Sequence, residues 1–179
     1  AKAADYILCA ARTKHTANPE EGITLFIVDA KEWGVYASPL KNMDLLRKQF
    51  EVTFTNVPVL ARNIVGELHQ GWPVLKQVAL KAVAALCAEM VGGGEKVLEM
   101  TVSYAKDRVA FGVPIGSFQV IKHKCADMLS ALEYARSLME WAALSIDEDA
   151  ANAALAVSMA KAYCGDAYKK VCDEGIQIH

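Results

Sequence analysis

No two of the five cysteines, Cys9, Cys87, Cys125, Cys164 and Cys172, stand in a C-x-x-C pair. Their number is odd, so the sequence offers neither a closed disulfide frame nor a zinc ligand set. It reads as a chain of free thiols from a reducing compartment. An excess of one charge is also missing. The 19 Lys and Arg face 21 Asp and Glu, for a net charge of -2, which argues against a nucleic-acid binder with its basic stripe. Long apolar runs are missing too. The most hydrophobic stretch, residues 74–90, is interrupted by Lys76, Gln77, Lys81 and Glu89, too short and too charged to span a bilayer. His15 has no second ligand near it in a polar loop, so a solvated histidine is expected there and no metal site. No secretory leader heads the sequence, and a soluble, intracellular protein is the expectation.

What the sequence does have is apolar residues, 54% of its 179, enough for a sizeable core in one domain or two small ones. Residues 4–11 and 23–28 are rich in strand formers, and the polar stretch 12–22 between them, with Pro19 and Gly22, reads as a loop. Residues 33–39 hold a short strand. Residues 49–54 alternate Phe and Val with polar side chains, as a half-buried strand does. The first ~62 residues therefore read as antiparallel β on pattern and turn signals. From Gly71 the period changes to helical. Residues 72–111 form one long helix or two, with Gly92, Gly93 and Gly94 at the doubtful point, since each glycine costs roughly 1 kcal/mol against alanine inside a helix. Residues 118–146 place Ile121, Cys125, Met128, Leu132, Ala135, Met139 and Ala142 on one helical face. A turn at 147–149 leads to a helix over 150–178, with Leu155, Met159, Tyr163, Ala167, Val171 and Cys172 as its candidate core face. Short connectors predict antiparallel neighbours. The fold class is α+β, an antiparallel β segment (1–62) followed by an antiparallel helical bundle (63–179). Both ends look cut, and a fragment whose bundle is incomplete at its C-terminal end is expected.

Residues 104–128, YAKDRVAFGVPIGSFQVIKHKCADM, stand apart. Pro114 cannot sit inside a helix, Gly112 can take the left-handed conformation that ends one, and Ser117 is a good N-cap. A helix, a tight connector and a second helix would put Arg108, Phe111 and Gln119 near one corner. An arginine, an aromatic and an amide beside a helix N-terminus suit a phosphate-bearing cofactor. The same residues also suit a well-capped turn of a bundle.

The pattern R-x-x-F-G-x-P-I-x-x-F-Q, followed by ADM and ARSL, resembles the acyl-CoA dehydrogenase family. The stretches ADYILCAART, GITLFIVDA and FTNVPV before it and AKAYCGDAYKKVCDEGIQIH after it are similar to the family in the same order. The resemblance implies flavin adenine dinucleotide (FAD) as cofactor and an acyl-CoA thioester as substrate. It also implies a homo-oligomer (a dimer of dimers, hence a homotetramer) and electron transfer flavoprotein as electron acceptor. It places the protein in the bacterial cytoplasm or the mitochondrial matrix. By the same resemblance Arg108 meets the cofactor's pyrophosphate, Phe111 packs on it, and Phe118 and Gln119 meet its adenosine half. Gln177 meets the cofactor of a neighbouring subunit. Ala110 stands where relatives commonly carry threonine or glutamine, so a side-chain bond to the flavin is missing. Ala79, Leu80 and Val83 fall where the acyl pocket is lined. In relatives an acidic residue and an arginine often stand in the stretch 80–83, which here reads LKAV.

No glutamate of the sequence matches the family's base, so the catalytic residue is expected outside these 179. Glu89, Glu95 and Glu99 read as helix-surface carboxylates, and Arg136 is placed to pair with Glu133 or Glu140. The expected activity is flavin-dependent α,β-dehydrogenation of an acyl-CoA. The alternatives are a non-catalytic subunit that completes a partner's flavin site, and a flavin oxidase or monooxygenase on the same fold.

Overall fold

The computed structural model describes residues 3–44 and 46–179. They fall into two compact units, 1–76 and 77–179. The first unit holds five strands, β1 (Tyr6–Arg12), β2 (Ile23–Asp29), β3 (Val35–Pro39), β4 (Phe50–Phe54) and the short β5 (Ile64–Val65). β1 pairs antiparallel with β2 from Tyr6 opposite Asp29 to Arg12 opposite Ile23. β5 takes the other edge of β2, and β3 and β4 form a separate antiparallel hairpin. β2, flanked on both sides, buries Thr24, Leu25 and Val28. The polar loop after β1 is tied down by its own arginine. The Arg12 guanidinium donates to the Pro19 and Glu21 carbonyls, both at 2.8 Å. His15 in this loop is exposed, and no group of three His, Cys, Asp or Glu side chains among the described residues could hold a metal ion.

The second unit is built on three helices, α1 (Trp72–Asp107), α2 (Gln119–Asp147) and α3 (Ala153–Ile178). Lys124 of α2 meets Glu174 of α3, and Ala135 of α2 meets Cys164 of α3. The order of those contacts makes α2 and α3 antiparallel, as their short connector requires. Glu95 of α1 pairs with Arg136 of α2, which also lies 3.6 Å from Glu133. The carboxylate that Arg136 takes in place of Glu140 is thus on another helix. Glu99 pairs with Lys96 at 2.8 Å, a surface carboxylate as expected. Among the described residues no helix is long and apolar enough to cross a membrane.

Helix α1 runs unbroken through Gly92–Gly94. A Cβ at Gly94 would lie 2.5 Å from Leu132 Cδ2, and one at Gly93 would lie 3.1 Å from the Tyr168 ring. Those two glycines buy close approach of the neighbouring helices. Gly92 is different, because nothing lies within 4 Å of its Cβ position. Gly92→Ala is therefore expected to stabilise the chain by about 0.5–1 kcal/mol through helix propensity and the unfolded state. A urea titration that shows a loss would mean that something presses on this face.

The face expected for α2 is largely the observed one. Met128, Leu132, Ala135 and Ala142 are buried, Ile121, Cys125 and Met139 half-buried, with Ala131 and Ser145 added. The face expected for α3 is half wrong. Ala167 and Val171 are buried and Cys172 is half-buried, but Leu155, Met159 and Tyr163 are 59%, 44% and 36% exposed. The helix turns inward Ala156, Val157, Ala160, Cys164, Gly175 and Ile178 instead. Small side chains let two helix axes approach, and that packing outranks the size of the displaced residues. The helix also starts later than expected, at Ala153. All five cysteines are free. Burial pushes the Cys164 thiol up to about 11, so it sits protonated in the core as a small apolar filler.

Candidate cofactor-binding site

α1 ends at Asp107, four residues short of Phe111. Arg108 follows, exposed, with its N–H donating to the Tyr104 carbonyl at 2.8 Å. Its guanidinium has no protein partner among the described residues. The chain then makes a hairpin that the sequence did not announce. β6 (Val109–Ala110) pairs with β7 (Val113–Pro114) across a two-residue turn, Phe111-Gly112. Both turn residues have positive φ, 54° and 81°, the geometry that matches the twist of a tight hairpin. Gly112 accordingly serves this turn and does not end the helix. Pro114 lies on a strand, where its missing N–H leaves only one edge unsatisfied. The signal was an x-Gly pair between β-branched neighbours, Val109 and Val113. The result for Phe111 is 97% exposure, at a backbone angle that costs a bulky residue on the order of 1–3 kcal/mol.

Ser117 is not the N-cap of α2. It lies in a short 3-10 turn over Ile115–Ser117, and its hydroxyl donates to the Pro114 carbonyl at 2.7 Å. The residue at the cap position is Phe118, which offers no side-chain cap. The first amides of α2 are left without a side-chain acceptor, open to an anion. Gln119 opens the helix and is exposed, and the Phe118 ring meets the Phe111 ring edge-on at 6.3 Å and 80°. Ala110, half-buried in β6, carries no side-chain donor. The connector is held to α1 by Ile115 N–H donating to the Arg108 carbonyl at 2.8 Å. A Cβ at Gly116 would lie 2.9 Å from the Ala105 carbonyl oxygen. Gln177, exposed in the last turn of α3, comes to the same end of the bundle, because Tyr104 and His179 stack with centroids 4.4 Å apart. The structure thus brings Arg108, Ala110, Phe111, Phe118, Gln119 and Gln177 to one end. A guanidinium without a partner among the described residues and helix amides without a side-chain cap are donors that fit a dinucleotide phosphate, and the exposed Phe111 ring beside them fits a flat base.

Ala79, Leu80 and Val83 are elsewhere. Val83 and Arg108 are separated by roughly 37 Å along α1, at 1.5 Å per residue. Leu80 lines a shallow pocket of about 220 Å³ with Gln77, Lys81, Ile146, Asp149 and Ala153. Val83 is half-buried against the core, and Ala79 is exposed.

Residues 69–179 match the model of the acyl-CoA dehydrogenase C-terminal domain, and the chain belongs to the acyl-CoA dehydrogenase family. The fold of butyryl-CoA dehydrogenase from Megasphaera elsdenii superposes with a TM-score of 0.92 at 30% identity, over 99% of this chain and 46% of that one. The caffeyl-CoA reductase–Etf complex subunit CarC of Acetobacterium woodii is 31% identical over 160 residues, 88% of this chain and 42% of CarC. PigA, solved with FAD and proline, has a TM-score of 0.90 at 25% identity, covering 98% of this chain and 46% of PigA. The chain therefore spans about half the length of the relatives it matches. FAD, the cofactor that the sequence pattern implies, is the one held by PigA.

Proposed function

We propose that the whole protein is an FAD-dependent acyl-CoA dehydrogenase acting on the α and β carbons of an acyl-CoA thioester. The observation that carries this is the corner at Arg108, whose side chain is exposed and has no partner among the described residues, in a chain of this family. When bound, FAD supplies the electron sink, and the protein supplies position and electrostatics. Arg108 would hold the pyrophosphate, where a planar guanidinium fork suits phosphate oxygens, and the open amides of α2 would add donors. Phe111 would pack on the cofactor, with Phe118 and Gln119 toward its adenosine and Gln177 beside them. Ala110 would leave room and no bond. Ala79, Leu80 and Val83 would line the acyl end. The distance between that end and Arg108 supports a reading in which the corner serves the cofactor of a second subunit in a homo-oligomer, a dimer of dimers. Residues 1–62 and 63–179 would then be parts of a larger protein's β domain and helical domain. Electron transfer flavoprotein is the proposed acceptor, supported by the Etf complex to which CarC belongs. The proposed location is the bacterial cytoplasm or the mitochondrial matrix.

A second reading has its own observation. The stretch 80–83 carries no acidic residue or arginine, and Ala110 offers the flavin nothing. Both fit a non-catalytic subunit that completes a partner's site. One measurement separates the two: the visible absorption of the full-length protein as purified, then with a panel of acyl-CoA thioesters. A bound flavin that bleaches on addition is the expected result. A flavin that no thioester bleaches favours the non-catalytic subunit, and a protein that neither retains nor takes up FAD sinks the dehydrogenase reading.

A further inference from the structure

Tyr104 lies one helical turn before Arg108 and receives its backbone N–H at 2.8 Å. The Tyr104 ring stacks on His179 with an interplanar angle of 21°, and its hydroxyl donates to the His179 carbonyl at 3.2 Å. His179 in turn is held to its own helix. Its Nδ1 lies 2.8 Å from the Gly175 carbonyl oxygen, and its backbone N–H donates to the same oxygen at 3.3 Å. Gly175 is buried against α1, where a Cβ would come 2.7 Å from Val97 Cγ1. The last turn of α3 is therefore fastened to the last turns of α1 on both sides of Gln177. Among the described residues, neither the Arg108 nor the Gln177 side chain has a protein partner that would fix it.

We infer that Tyr104 is a positioning residue for cofactor binding: by clasping His179 it sets where Gln177 stands relative to Arg108. This rests on the reading of Arg108 and Gln177 as cofactor residues. The clasp joins backbone segments 75 residues apart in sequence, so no local propensity fixes their spacing. The stack fixes distance and tilt, and the hydroxyl fixes rotation about the stack. A residue of this kind acts on affinity through Gln177 and not by touching the ligand.

The test is a double-mutant cycle on FAD affinity, in the full-length protein stripped of flavin and titrated with FAD. The readout is quenching of flavin fluorescence, with thermal melting of the apo form alongside. Tyr104→Leu and Gln177→Ala are each expected to weaken FAD about tenfold, as loss of a well-placed polar contact does. The double variant is expected to be no weaker than the worse single one. Tyr104→Phe, which keeps the stack and loses the hydroxyl, should recover most of the affinity. Multiplying losses in the double variant would overturn the inference, as would a Tyr104→Leu protein that melts lower yet binds FAD normally. If Tyr104→Leu does not fold, His179→Ala takes its place in the cycle with the same two outcomes. Unchanged FAD affinity in both Arg108→Ala and Gln177→Ala would defeat the cofactor reading itself and leave the clasp nothing to position. A normal Arg108 effect with additive Tyr104 and Gln177 losses defeats the clasp alone.

Discussion

Arg108→Ala should weaken flavin retention by about ten- to a hundredfold while the helical unit stays folded. A charge-assisted contact is worth roughly 1.5–3 kcal/mol, which corresponds to that range of affinity. The structure removes the main competing role for this side chain. An arginine that stabilised the fold would show a carboxylate partner, and Arg108 shows none among the described residues, although Asp107 is its neighbour in sequence. Its deletion should therefore leave the melting temperature of the apo form nearly unchanged, since exposed surface charges contribute at most about 1 kcal/mol. Arg108→Lys should recover only part of the affinity, because it keeps the charge and loses the planar fork. FAD titration of the full-length variants decides the matter. Equal affinity in the alanine variant would show that the corner holds something other than a pyrophosphate. A collapsed apo form would make Arg108 structural.

Leu132→Ala is expected to cost about 2–5 kcal/mol, the largest stability loss proposed for the helical unit. Leu132 is 1% exposed and packs with Met128, Val171 and Ile178. Its Cδ2 also occupies the space where a Gly94 side chain would go. That shared space makes a sharper experiment than either site alone. Gly94→Ala in the native background forces a methyl against Leu132 Cδ2, which must shift to admit it. The overpacking costs about 1–3 kcal/mol, offset in part by the ~1 kcal/mol that alanine gains in a helix. In the Leu132→Ala background the same methyl enters a vacated space, so it should be neutral or stabilising. Urea titrations of the two single variants and the double variant measure this coupling, expected at about 1 kcal/mol or more. Additive losses would mean that α1 and α2 do not meet through these two residues.

The strands β1–β4 and the three helices were legible from period and composition, to within a few residues at each end, whereas the two-residue strands β5, β6 and β7 were not. The change near Gly71 separated them because alternation and a three-four repeat cannot be mistaken for one another over such lengths. The inward face of α3 was not legible. Leu155, Met159 and Tyr163 satisfy a hydrophobic repeat as well as Ala156, Ala160 and Cys164 do. Only the fit against a neighbouring helix chooses between them. In the candidate site, the residue types were read from the motif but their geometry was not. Ser117 has the chemistry of an N-cap, yet one residue of displacement hands the cap to Phe118 and turns the hydroxyl to Pro114. Gly112 has the freedom to end a helix, and the chain spends that freedom on a hairpin. The approach of Gln177 to this end depends on Tyr104 meeting His179, a pairing across 75 residues that no sequence window contains.

Phe111 stands at a φ of 54°, where glycine or asparagine would fit with less strain, and it is almost wholly exposed. Among the described residues that side chain has only its edge-on contact with the Phe118 ring, worth about 0.5–1.5 kcal/mol, against the roughly 1–3 kcal/mol that the conformation costs. Among descendants of such a protein, drift alone should therefore replace it, since glycine and asparagine are within a few nucleotide changes and would be more stable. Lineages that still carry a flavin against this turn should keep an aromatic at 111, and lineages that have lost the flavin should shed it early, before the buried core begins to change. The position becomes a historical marker of cofactor use. It should read the same whether the flavin is this subunit's own or a partner's.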